Sequence, residues 1–156
     1  MSTPAIEAHA LTKSFGEITA ISDVSFIAEE GEITGLLGGN GAGKTTTISI
    51  LLGLLLPTSG EVRILGRDMT NDRYSVLSLM NFSSPYVDLP NRLTVRENLR
   101  VYGELYSVIK PEVRIGELAE RLDIVALLDR RTGQLSAGQK TRVALAKALI
   151  NRPRVL

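Results

Sequence analysis

The sequence predicts an α/β fold with three parts: an antiparallel β segment at the N-terminus, a strand, glycine loop and helix core, and an all-helical insertion before a last helix returns toward the sheet. Three observations predict it. Apolar residues alternate along two runs of the first third, a glycine-rich loop separates a short apolar run from a long one, and from about residue 85 apolar residues recur at helical spacing. At 156 residues the chain is about the size of one ordinary domain. The predicted boundaries are 1–84 for the β segment and the glycine-loop part of the core, 85–133 for the helical insert, and 134–156 for the last helix and the start of a further strand.

Taken in order, "AIEAHAL" alternates with Ile6, Ala8 and Ala10 on one face, and "DVSFIA" repeats the pattern with Val24, Phe26 and Ala28. After a turn at Glu30 and Gly31, "GEITGLLG" predicts a short buried strand with Ile33, Leu36 and Leu37. The run "KTTTISILLGLLLP" predicts a helix from Lys44 until Pro57 stops it. It is far shorter than the ~20 apolar residues of a membrane span, so it is expected as a buried core helix. "PTSGEVRILG" reads as a turn and a strand carrying Val62 and Ile64. Thr94 with Glu97 makes a capping box for a helix bearing Leu99, Tyr102, Tyr106 and Ile109. A second helix fits 112–123 with Val113, Leu118 and Leu122 inward. Ser136 with Gln139 caps a third, which Pro153 closes.

Composition excludes several classes of function. Lys and Arg total 18 against 17 acids, a net charge of +1, so charge offers no argument for nucleic acid as a partner. The absence of cysteine excludes disulfides and thiol chemistry. "MSTPAIEAHA" has neither the basic start nor the apolar stretch of a signal peptide, so a cytoplasmic location is expected. His9, the single histidine, sits off the apolar face and reads as solvated.

The chemistry concentrates in "GGNGAGKTT", residues 38–46: Gly38, Gly39, Asn40, Gly41, Ala42, Gly43, Lys44, Thr45 and Thr46. Glycine loses more entropy on ordering than other residues, so four of them in this stretch need a reason. Gly38, Gly43, Lys44 and Thr45 fit G-x-x-x-x-G-K-[ST], the P-loop, in which successive N–H groups and the start of a helix make an anion nest. Lys44 would face the β- and γ-phosphates of a nucleotide, and the Thr45 hydroxyl would be a ligand of Mg²⁺. The motif's required context, a strand before and a helix after, is predicted on both sides.

A second motif, "LSAGQ" at 135–139, resembles the LSGGQ signature of ABC transporter ATPases, and the loop resembles their G-P-N-G-A-G-K-T-T with Gly39 in place of proline. The resemblance covers essentially the whole chain: "LTKSFGE", "LLPTSGEVRILG" and "RLTVRENL" are all similar to family segments. It implies a P-loop NTPase core with an N-terminal antiparallel β subdomain and an inserted helical subdomain, here an incomplete domain. It implies ATP and Mg²⁺ as cofactors, with Phe15 as the adenine-stacking aromatic. It also implies that Ser136, Gly138 and Gln139 serve the ATP of a partner chain, Ser136 and Gly138 at the γ-phosphate and Gln139 near the ribose. The expected partners are a second nucleotide-binding domain, as homo- or heterodimer, and transmembrane permease subunits, with the protein peripheral on the inner face of the cell membrane. The segment after the phosphate loop favours export. A soluble ABC ATPase acting on DNA or ribosomes, or an inert fragment, is the alternative.

The resemblance breaks in two places. The glutamine that the family uses to touch Mg²⁺ and the attacking water would fall around Ser83 to Pro85, and the glutamines present are Gln134 and Gln139. The chain also stops at "NRPRVL", where Arg154, Val155 and Leu156 resemble the first step of the strand that ends in Asp-Glu in the family. That strand is expected beside the one feeding the phosphate loop. No catalytic residue is therefore assigned, and these residues alone are expected to bind nucleotide at most.

Overall fold

A computed structural model describes residues 3–84 and 89–156. The chain forms two compact units, Met1–Leu77 and Ser78–Leu156. The expected position of the family's glutamine is therefore described at Ser83 and Ser84, while Pro85 lies outside the described residues.

The first unit is built on a four-stranded antiparallel sheet of order β2-β1-β3-β4, from β1 (Ile6–Phe15), β2 (Ile18–Ala28), β3 (Ser59–Ile64) and β4 (Arg67–Asp68). Two helices, α1 (Lys44–Leu51) and α2 (Arg73–Leu77), belong to the same unit. Val62 and Ile64 are buried as expected, and Val24, Phe26 and Ala28 share the inward face of β2. In β1 the alternation breaks. Ala10 takes a left-handed φ of 48° at a bulge, its N–H donates to the Ser25 hydroxyl at 2.8 Å, and Leu11 fills the buried slot instead. The bulge shifts the two-residue period by one, so Leu11 follows Ala8 as the next buried side chain.

Two expectations around the phosphate loop are corrected. Residues 32–39 form no strand, and Ile33, Leu36 and Leu37 are exposed. A strand exists through the ladder it joins, and this segment pairs with none of the described strands, so its backbone stays with water and its side chains have nothing to pack on. The helix that follows is not fully buried either: Thr47 and Ile50 are inward, whereas Ile48 is half exposed. It also ends six residues short of Pro57. Gly53, at φ 67°, donates to the Ile50 carbonyl while Leu54 donates to that of Ser49, both at 2.9 Å, a Schellman closure that stops the helix before proline is reached.

The second unit packs α3 (Val95–Leu105), α4 (Pro111–Arg121) and α5 (Ala137–Ala148) around one core that includes Val95, Leu99, Ile115, Leu118, Ile124, Val143 and Ile150. Burying each such aliphatic side chain contributes about 1.5–3 kcal/mol. Both predicted capping boxes are formed. In the first, the Thr94 N–H donates to the Glu97 carboxylate at 2.7 Å, and this bond above all holds the Glu97 carboxyl below its ordinary value. Ile109 lies beyond α3 and is exposed, because Ser107 adopts a φ of 53° and closes the helix after Leu105. Val113 is exposed too. The phase of α4 is set by Ile115, Leu118 and Ala119, and Val113 sits about 200° round the helix from Ile115.

Candidate functional site

The phosphate loop is pre-shaped by its own atoms. The Lys44 ammonium folds back across the loop and donates to the carbonyls of Gly38 and Gly39, both at 2.7 Å. Gly41 and Gly43 take φ of 82° and 81°. Gly43 is the N-cap of α1 and offers no side-chain cap, and the first helical bond runs from the Thr47 N–H to the Gly43 carbonyl at 2.8 Å. The N–H groups of Lys44, Thr45 and Thr46 thus have no acceptor among the described residues, at the positive end of the helix dipole. No acidic residue lies in that first turn. The Thr45 hydroxyl is exposed and makes no hydrogen bond among the described residues, whereas that of Thr47 is spent on the Gly43 carbonyl at 3.0 Å. This is a concave row of donors closed by one cation, with a free hydroxyl at its edge: it fits a polyphosphate, and Thr45 fits a hard cation carried with it.

What fixes the loop against the sheet is β2. A Cβ on Gly43 would run into the Ile21 side chain and stand 2.6 Å from the Ala20 carbonyl oxygen. Glycine is required there for close approach as well as for φ.

Phe15 ends β1 and is 51% exposed, so it is not a core side chain. The Lys13 ammonium lies 5.1 Å from its ring centroid. Sequence reasoning passed over Lys13, although its spacing of two from Phe15 on a strand puts both on one face.

In the second unit the start of α5 is held from behind. Leu135 is buried, and the Thr132 hydroxyl donates to the Pro90 carbonyl at 2.7 Å. The buried Asn98 amide donates to the carbonyls of Pro90 and Thr94 at 3.2 and 3.0 Å. Ser136 faces solvent, and its hydroxyl accepts from the Gln139 N–H at 3.3 Å while its own N–H donates to the Gln139 side chain at 2.9 Å. The N–H groups of Ala137 and Gly138 keep no acceptor among the described residues. A Cβ on Gly138 would meet nothing within 4 Å, and its φ is ordinary, so nothing inside this chain requires glycine there. In a helix glycine costs about 0.5–1 kcal/mol relative to alanine, a cost that makes sense if something outside the chain must come close.

Arg154 and Val155 begin a strand in the expected sense, through a parallel bridge from Val155 to Met80. The partner is the segment 79–81, not the residues before the phosphate loop, which join no ladder. Sequence reasoning also missed the polar pair behind this bridge. The buried Asn81 donates to Asn151 at 2.9 Å, and Asn151 donates to the carbonyls of Ser78 and Met80 at 3.0 and 3.2 Å. Two asparagines 70 residues apart carry no pattern that could have announced it. They fix the chain that leads into Ser83, which is exposed.

Comparison with known proteins agrees with this geometry. The ABC transporter family model matches residues 21–156. The chain is 37% identical over 153 residues to the probable multidrug ABC transporter ATP-binding protein YbhF of Escherichia coli (strain K12), covering 97% of this chain and 26% of that protein. It is 37% identical over 158 residues to the Nod factor export ATP-binding protein I of Paraburkholderia xenovorans (strain LB400), covering 100% of this chain and 52% of that one. A sulfate/thiosulfate import ATP-binding protein of Synechococcus elongatus is 39% identical over 97% of this chain and 44% of its own. The chain thus spans about half or less of these curated relatives. Among solved structures, an ATP binding subunit of an ABC transporter superposes with a TM-score of 0.82 at 26% identity, covering 96% of this chain and 63% of that one. The ADP conformation of an ATP-binding cassette gives 0.81 at 28%, covering 97% and 66%. Among the described residues no helix is long and apolar enough to cross a membrane. The chain belongs to the ABC transporter family, as part of an ATP-binding domain with a P-loop NTPase α/β fold.

Proposed function

We propose that this chain binds ATP with Mg²⁺ in an ATP-binding subunit that works as a dimer beneath membrane permease subunits, on the cytoplasmic face of the membrane, and drives export. The observation that carries the reading is the phosphate loop, with Lys44 laid across it and three unpaired N–H groups at the start of α1. Lys44 and the N–H groups of 44–46 would hold the β- and γ-phosphates, Thr45 would hold Mg²⁺, and Phe15 would stack on adenine. Mg²⁺ supplies charge neutralisation of the phosphate oxygens when bound. In the domain assignment that goes with this, 1–84 carries the nucleotide, 85–133 is the helical subdomain, and 134–156 carries the signature. Ser136, Gly138 and Gln139 would face the nucleotide of the partner chain. Export rests on similarity to the multidrug and Nod factor export ATP-binding proteins.

Phe15→Ala tests the base platform. It should weaken ATP by roughly 1–3 kcal/mol, the scale of one base stacked on an aromatic ring, and leave the affinity for inorganic tripolyphosphate unchanged in calorimetric titration. Equal losses for both ligands would make Phe15 a structural residue.

Ser136→Arg tests the dimer. The substitution gives up the Ser136 cap of α5, about 0.5–2 kcal/mol, but leaves the loop at 38–46 untouched, so each chain should keep its ATP affinity while light scattering shows the ATP-dependent dimer gone. A variant that still dimerises with ATP would leave Ser136 as a helix cap alone.

A further inference from the structure

We propose that Lys13 is a placeholder on the base platform: its ammonium lies over the face of the Phe15 ring that a nucleobase takes and must leave when one stacks there. The inference rests on the reading of Phe15 given above. Lys13 and Phe15 are two residues apart on β1, so their side chains rise from the same face of the strand. The Lys13 ammonium lies 5.1 Å from the Phe15 centroid, inside the range of a cation–π contact. It has no competing attachment, since among the described residues its side chain is in no hydrogen bond or ion pair. A lysine lays its aliphatic stem on apolar surface and keeps its charge toward water, so it can cover a ring face and still give it up to a ligand. A base that stacks on Phe15 needs a face of the ring free. Half of Phe15 is exposed, and the lysine ammonium stands over one face of the ring.

Base and lysine therefore compete for one surface, and the apparent affinity for a nucleotide is lowered by the cost of displacing the cation. The cost falls only on ligands with a base. A ligand of phosphates alone uses the loop at 38–46 and leaves Lys13 in place. Binding of such a ligand still feels the general attraction of the Lys13 charge, as ATP does, so the ratio of the two affinities isolates the ring contact. The direction is opposite for two substitutions. Methionine removes the cation and frees the face, whereas arginine keeps the charge and lies flatter and more firmly on an aromatic ring.

The test is calorimetric titration of the full chain with ATP and with inorganic tripolyphosphate, for the wild type, Lys13→Met, Lys13→Arg and Phe15→Ala. The ratio of ATP to tripolyphosphate affinity should rise about two- to fivefold in Lys13→Met, the equivalent of the ~0.5–1 kcal/mol of an exposed cation–π contact. It should fall below the wild-type value in Lys13→Arg. A ratio that drops in Lys13→Met would mean that the lysine helps to hold the base, and an unchanged ratio in both variants would mean that the contact is incidental; either overturns the inference. Phe15→Ala separates this failure from that of the platform itself. If it leaves the ratio unchanged, the stacking role of Phe15 is wrong; if it lowers the ratio while both Lys13 variants do not move it, the placeholder alone is wrong.

Discussion

Lys44→Ala should lower the affinity for ATP about 10- to 150-fold, the range that corresponds to the ~1.5–3 kcal/mol of a hydrogen bond to a charged group. In the structure the ammonium is held by the Gly38 and Gly39 carbonyls, so it already lies over the loop before a phosphate arrives. Losing it removes the one positive side chain of the nest and leaves the N–H groups of 44–46 in place. Both carbonyls can turn to water, so the fold should not suffer and the unfolding midpoint should stay near that of the wild type. Isothermal titration with MgATP reads the effect directly. An affinity within twofold of the wild type, in a variant that is still folded, would take the loop out of the nucleotide site.

Much of this was legible because short-range chemistry decided it. The capping boxes at Thr94 and Ser136 need only residues three apart, and both form. The P-loop spacing is likewise local, and the resemblance to a family carried the remote assignments. What failed was what depends on neighbours distant in the chain. Ile33, Leu36 and Leu37 have the composition of a buried strand, but burial comes from a ladder that this segment does not join. Ala10 has the right alternation and loses its place to a bulge, where its N–H donates to the Ser25 hydroxyl on the next strand. Helix ends failed for a subtler reason. Schellman closures terminate α1, α3 and α4, with Gly53, Ser107 and Asp123 in the left-handed position. A glycine there can be read as a stop, but a serine or an aspartate cannot, so α3 was carried on to Ile109 and α4 to Asp123. Pro57 and Pro153 misled in the opposite sense: proline marks where a helix can no longer continue, while the chain had closed each helix some residues earlier.

A large loss of stability should follow Gly43→Ala, about 2–5 kcal/mol. The left-handed φ of 81° costs a residue with a Cβ about 1–2 kcal/mol. The new methyl must also displace the Ile21 side chain and the Ala20 carbonyl, which stand where it would go, and overpacking of that kind adds ~1–3 kcal/mol. The carbonyl belongs to β2, so the strand that seats the loop has to move, and ATP affinity should fall with stability. Gly138→Ala is the matched comparison. It too adds one methyl at the start of a helix, but into open space and at an ordinary φ, so it should stabilise the chain by about 0.5–1 kcal/mol. Its harm should appear only where another molecule must approach the Gly138 N–H, as a weaker ATP-dependent dimer. Urea unfolding of the two variants decides between the roles. Opposite signs are expected; equal destabilisation would mean that the glycine of the signature is structural, and a neutral Gly43→Ala would mean that β2 does not hold the phosphate loop.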